Sequence, residues 1–295
     1  MEYKAQKASS LLDALKEHLV DSSNRTIRNL LKNKSVLVNG KVIQKSSHII
    51  SEGDLLKILP KQKSTYQNVK IIFESKDYVI VDKPANLLSV PLDNNGGENV
   101  FQILKDTYPK TALYPVHRLD KKASGLLIFV KGKENQIIFK ELFAEHLITR
   151  QYLAICEGKL PHNSGVFTSK LKELPNYNVV SAEDGKDATT FYKVVCKRKN
   201  TSCLQLQLET GRKHQIRVHL SENGNPIVGD KRYGAKSSFH KRIALHAYRL
   251  AFTDPSTKKE MSFYSQIPEE FSLENFLNEY SSNKMEDIHE QKGAD

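Results

Sequence analysis

Three separated stretches of the chain concentrate side chains that can do chemistry. The first runs Tyr114-Pro115-Val116-His117-Arg118-Leu119-Asp120-Lys121-Lys122-Ala123-Ser124-Gly125-Leu126-Leu127-Ile128. It sets His, Arg, Asp and two Lys directly before an apolar run, and such polar density at a strand entrance makes a poor core but a good site. A merely charged turn would read the same way. A phosphotransfer loop of the His-Arg-Asp kind is excluded, because the spacing differs and no glycine-rich phosphate loop precedes it. The second stretch, Arg150-Gln151-Tyr152-Leu153-Ala154-Ile155-Cys156-Glu157-Gly158, opens a strand with Tyr152, a position open to a core aromatic or a site residue. The third, Leu208-Glu209-Thr210-Gly211-Arg212-Lys213-His214-Gln215-Ile216-Arg217-Val218-His219-Leu220, continues to Gly229-Asp230 and Tyr233-Gly234. Its two histidines and two arginines fit no usual zinc spacing, and guanidinium groups would repel a cation. Arginine suits carboxylates and phosphates instead.

The elements that must position these stretches are β-rich. Short apolar runs at 71–73, 78–81, 126–130, 152–155, 190–195 and 204–208 read as strands, with helices chiefly over 99–107 and 133–145. Helices do not separate the strands regularly, so the fold class is α+β with a mixed, largely antiparallel sheet. Residues 9–60 read as a unit of their own, 61–68 as a polar linker, 69–280 as the larger domain and 281–295 as a polar tail. In the small unit, Leu11, Leu12, Leu15 and Leu19 share one helix face. A second helix follows near Thr26–Leu31, and Asn39-Gly40 makes a tight hairpin.

Net charge is +11 with a pI near 9.3, which fits a polyanionic partner, most often nucleic acid, or simply a solubilising surface. Arg25, Arg28 and Lys32 share one side of the second helix, followed by Lys34, Lys41 and Lys45. That face could be a phosphate-binding groove or a solvated one. No apolar run reaches the roughly 18 residues of a membrane span, and the start MEYKAQKASS lacks an apolar signal segment. A cytoplasmic protein is therefore expected, with Cys156, Cys196 and Cys203 as reduced thiols.

The small unit, with Val36-Leu37-Val38-Asn39-Gly40-Lys41-Val42 at its heart and Glu52-Gly53-Asp54 before a closing strand, resembles an S4-type RNA-binding domain. The larger one resembles the RluA-type RNA pseudouridine synthases over roughly residues 68–275. The resemblance rests on His117-Arg118-Leu119-Asp120 with Ser124-Gly125-Leu126-Leu127, on Arg150-x-Tyr152-x-Ala154, on Thr210 through Leu220 and on Gly229-Asp230-x-x-Tyr233-Gly234. Asp82-Lys83-Pro84-Ala85 and Leu245-His246-Ala247 complete it.

The resemblance implies a reaction in which uracil is detached from ribose at N1 and reattached through C5, without cofactor or metal. It implies Asp120 as nucleophile, Tyr152 as the active-site tyrosine and Arg217 as the active-site arginine. His117 and Arg118 would contact backbone or fill the helix the base has left, with Arg212 and His214 as further RNA contacts beside Arg25, Arg28, Lys32 and Lys41. The base must leave its stack, so looped or bulged targets are expected. The substrate implied is large-subunit (23S) ribosomal RNA, since family members bearing an S4-like domain mostly act there. Transfer RNA is the alternative, and a non-catalytic RNA-binding or ribosome assembly factor a further one. A monomer is expected. The chain departs from the family pattern at Asn86 (usually Gly), Ala123 (usually Thr), Arg150 (usually Lys) and Lys213 (usually Thr or Ser).

Overall fold

The leucines of the first helix face do share a core. In a computed structural model, which describes residues 2–19, 22–32, 35–59, 69–92 and 98–271, Leu11, Leu12 and Leu15 belong to α1 (Leu11–His18), and Leu19 is its C-cap. Ser10 caps it by accepting the Asp13 N–H at 3.2 Å. Ile27 and Leu31 of α2 (Asn24–Lys32) pack with Leu11 and Leu15. Around them run β1 (Glu2–Lys4), β2 (Ser9–Ser10), β3 (Val36–Val38), β4 (Lys41–Val42), β5 (Ile49–Ile50) and β6 (Leu55–Ile58). These make a sheet of order β1-β6-β3-β4 and a separate β2-β5 pair.

The expected hairpin has both central residues at positive φ, Asn39 at 49° and Gly40 at 80°. Asn39 also donates to Asp54 at 2.7 Å and accepts the Leu55 N–H at 2.9 Å, which ties the Asn-Gly turn to the Gly-Asp turn. Arg28 and Lys41 are exposed on this unit. Arg25 and Lys32 belong to α2, but their side chains lie outside the described part, as do Lys34, the 61–68 linker and the 281–295 tail. The chain divides into two compact units, Met1–Gln67 and Asn68–Asp295.

The second unit contains β7 (Lys70–Glu74), β8 (Tyr78–Lys83), α3 (Val100–Thr107), β9 (Leu113–Pro115), β10 (Ser124–Lys131), α4 (Lys133–Ala144) and β11 (Thr149–Glu157). It continues with β12 (Ser164–Glu173), β13 (Val179–Ser181), β14 (Lys186–Lys197), β15 (Thr201–Leu208), α5 (Gln215–Glu222), β16 (Leu245–Thr253) and β17 (Glu260–Tyr264). The described strands form one sheet of order β13-β12-β14-β15-β11-β16-β10-β8-β7, with β9 beside β10 and β17 beside β16. Every pairing between its strands is antiparallel except β10 with β16, so the expected mixed, largely antiparallel sheet is observed. β10 is buried along nearly its whole length, which explains its unbroken apolar run. Under α4, Phe139 packs with Tyr78, Ile128 and Phe252.

α5 was not legible as a helix. Gln215, Ile216, Arg217, Val218, His219 and Leu220 are all buried, so no polar face exists to set a period. The cysteine expectation also needs correction. Register places Cys196 of β14 opposite Cys203 of β15, and the two are joined as a disulfide with Cα atoms 4.9 Å apart. Cys156 is the free cysteine, and it is buried. No helix among the described residues is long and apolar enough to cross a membrane.

Candidate active site

Asp120 sits in the loop between β9 and β10, which is held at several residues. Ser89 donates to the carbonyl of Leu119 at 2.8 Å and accepts its N–H at 3.0 Å. The Ala123 N–H closes a turn onto the Asp120 carbonyl at 3.1 Å. Lys83, fully buried at the end of β8, donates to the carbonyls of Pro84 and Leu87 at 2.9 Å, Lys121 at 3.3 Å and Ala123 at 2.5 Å. Burial, then repulsion by Arg242, lowers its pKa to about 7 against the pull of Asp120 and Asp82. The ring of carbonyl acceptors calls for the ammonium form, which carries three donors. Below the loop, Ser124 is bonded to His246 at 2.8 Å and to Arg242 at 2.5 Å.

The sheet brings Tyr152 to the same place. Gly125 of β10 pairs with Ala247 of β16, and Ala247 pairs in turn with Tyr152 of β11. A Cβ on Gly125 would lie 2.1 Å from the Ala247 carbonyl oxygen, so only glycine permits this close parallel pairing. The β11–β16 ladder skips Tyr248 between Gln151 and Tyr152, an irregularity of the kind that re-aims side chains. Tyr152 is 7% exposed, and its phenol pKa is raised by burial and by Asp120, against Arg150.

Arg217 arrives from the first turn of α5. Its Nε and Nη2 donate to both carboxylate oxygens of Asp230 at 2.6 and 2.9 Å, and its Nη1 donates to Asp120 at 2.8 Å. Burial opposes its charge, but the hydrogen bond to Asp230 and the attraction of both carboxylates outweigh it and raise its pKa. The Tyr233 ring covers the guanidinium at 4.7 Å. The loop before α5 is set by Gln215, which accepts from Thr210 at 2.8 Å and from the Arg212 N–H at 2.9 Å.

His214 adopts a left-handed conformation, φ 55°, ahead of α5. Its Nδ1 lies 2.7 Å from the Tyr233 hydroxyl and its Nε2 3.6 Å from Asp120. Burial lowers its pKa to about 4, so it faces the carboxylate as a neutral ring near pH 7. His117 lines one cavity with His214. Its Nε2 accepts the Ile128 N–H at 3.0 Å and its ring packs on Phe143. Burial, then Arg150, lowers its pKa to about 3, so it brings no positive charge to a phosphate.

Asp120, Tyr152, Arg217, His117, Arg118, Arg212 and His214 all line one cavity of about 600 Å³, within the range of small-molecule sites. Arg118 and Arg212 are its exposed cations. Reading single residues from sequence missed Asp230, Tyr233, Lys83 and Gln215. Each lay inside a quoted motif, and that was the available signal. Two of the departures find local reasons. Asn86 sits at φ 67°, the backbone that glycine usually supplies, and Lys213 pairs with Glu173 over the Tyr177 ring.

Both units resemble known proteins. A family model described as RNA pseudouridylate synthase matches residues 77–222, and one described as S4 domain matches 11–56. Ribosomal large subunit pseudouridine synthase D of Escherichia coli is 31% identical over 291 residues, covering 90% of this chain and 89% of that protein. An uncharacterized RNA pseudouridine synthase of Mycoplasma genitalium is 27% identical, covering 88% of this chain and 90% of its own. The solved structure of human RNA pseudouridylate synthase domain containing 4 shares the fold, with TM-score 0.57 and 24% identity over 68% of this chain and 90% of that one.

Proposed function

The chain belongs to the RluA-type RNA pseudouridine synthases, and from that premise we propose that it isomerises uridine in large-subunit ribosomal RNA with Asp120 as nucleophile. The observation that carries the assignment is the Asp120–Arg217–Asp230 chain at the edge of a cavity shared with Tyr152. A carboxylate must be ionised to attack the sugar or the base, and the guanidinium 2.8 Å away favours that form and aims it. The Tyr152 ring offers a face for the extruded uracil and for the detached base while it turns. On attack at the sugar, a carboxylate C–O bond to C1′ forms as the N1–C1′ bond breaks and its electron pair leaves with the base. The C5–C1′ bond then forms as that C–O bond breaks and returns its pair to the carboxylate, and the C5 proton is lost as N1 gains one.

The substrate assignment draws on the Escherichia coli relative, which is named for the ribosomal large subunit and matches nearly end to end. The S4 domain, with Arg28 and Lys41 exposed, supplies RNA capture on this reading.

Two measurements test the proposal. Asp120→Asn should abolish pseudouridine formation while RNA affinity stays within a few fold, and turnover equal to the parent's sinks the nucleophile assignment. Mapping pseudouridines in total RNA, with and without the gene, should lose a ribosomal site. Loss confined to transfer RNA would move the substrate there.

A further inference from the structure

Arg150 is 8% exposed, lines the same cavity as Asp120, and forms no ion pair with a carboxylate among the described residues. Its one hydrogen bond runs from Nη2 to the Glu209 carbonyl at 3.3 Å. Nε is buried without any partner. Nη1 is also unbonded and keeps its place beside Gly211, where an added Cβ would come within 2.4 Å. The Phe143 ring supports the guanidinium from one side at 5.4 Å. A buried cation so poorly satisfied costs folding free energy, and burial lowers its pKa accordingly. The fold thus keeps room for a group that the free protein disfavours, two residues along β11 from Tyr152.

Resting on the reading that uridine reacts in the Asp120 cavity, we propose that Arg150 is a substrate-contacting residue whose missing partner is a carbonyl oxygen of the target uracil. A backbone phosphate fits less well. Phosphates stay hydrated, and the exposed Arg118 and Arg212 already offer them partners. The contact strengthens as the reaction proceeds. When the N1–C1′ bond breaks, its electron pair leaves with the base and spreads onto O2 and O4. The carboxylate of Asp120 compensates the electron-poor sugar, and Arg150 compensates the base. A guanidinium held in place before the charge develops stabilises the transition state more than the ground state. Arginine offers a planar fork of donors here, where the family usually has lysine.

The test uses the full chain and a synthetic RNA spanning the mapped uridine, made with uridine or with an abasic nucleotide at that position. Arg150→Gln should lower kcat about a hundredfold. Arg150→Lys should recover part of that loss. In an Asp120→Asn background, which keeps the RNA unconverted, the chain should bind the uridine form more tightly than the abasic form. Adding Arg150→Gln should shrink that preference toward none. Equal weakening for both RNAs, with a shallower salt dependence, would identify a phosphate contact and overturn the proposal. Unchanged kcat and preference, with only a lower urea midpoint, would overturn it in favour of a structural role. Normal turnover by Asp120→Asn alone would overturn the cavity reading itself. A dead Asp120→Asn beside an unaffected Arg150→Gln overturns only the role of Arg150.

Discussion

Asp230 decides where the Arg217 guanidinium points. Its carboxylate takes Nε and Nη2 and leaves Nη1 for Asp120, so Asp120 meets a guanidinium aimed by a residue outside the lining of its cavity. Asp230→Asn keeps the volume but replaces one acceptor oxygen with an amide that opposes the arginine's own N–H groups. The expected result is a fall in kcat of about a hundredfold, the scale attached to small misplacements of a reacting group. RNA affinity should stay within a few fold, and the urea midpoint should drop because a buried arginine loses half its bidentate partner. Steady-state kinetics and urea unfolding on the same preparation check this. An unchanged kcat would mean that Asp120 alone fixes the guanidinium. Asp120 and Arg217 stood out because each lay in a polar motif, whereas Tyr152 was singled out only by the family resemblance. Asp230 was not, because its role depends on α5 folding back so that residues thirteen apart meet. The neutrality of His117 and His214 was not legible, because a histidine's charge follows its burial, which sequence does not show.

At the scale of elements, the site is a junction between the β8 end, the loop into β10 and the β10–β16 parallel pair. Lys83 joins the first two by bonding carbonyls on both sides of the gap. Replacing it with Met fills similar space and leaves those buried carbonyls without a donor, at about 1–3 kcal/mol for each fully orphaned group. Lys83→Met should therefore lower unfolding free energy by at least about 3 kcal/mol in urea titrations, and kcat should fall about tenfold as the Asp120 loop loosens. Wild-type stability and kcat together would show that Ser89 and the Ala123 turn hold the loop unaided. The elements readable in advance were those with a period or an apolar run, such as α1 and β10. The edge hairpin of β12 and β13 escaped because many of its side chains are exposed, and α5 because it is buried all round. The Cys196–Cys203 bond escaped because cross-strand register cannot be read from a spacing of seven.

At the scale of the whole molecule, the charge of +11 acquires addresses: Arg28 and Lys41 exposed on the first unit, Arg118 and Arg212 at the cavity of the second. A polyanion held by such residues releases condensed counterions, so affinity falls with salt in proportion to the phosphates neutralised. The two addresses should separate in measurement. Removing charge at the Asp120 cavity should alter how the reacting nucleotide is held, whereas removing it on the S4 domain should alter capture. In the full chain, Arg28→Gln with Lys41→Gln should weaken RNA binding and flatten log affinity against log salt by about 1.4–1.8, the contribution of two phosphate contacts. At saturating RNA, kcat should match the parent's, since both residues belong to the S4 domain and the Asp120 cavity to the other unit. Filter-binding isotherms across a salt series, paired with single-turnover rates, give both quantities. An unchanged slope removes these two cations from the RNA interface. A reduced rate at saturation would show instead that the S4 domain helps present the uridine as well as hold the RNA.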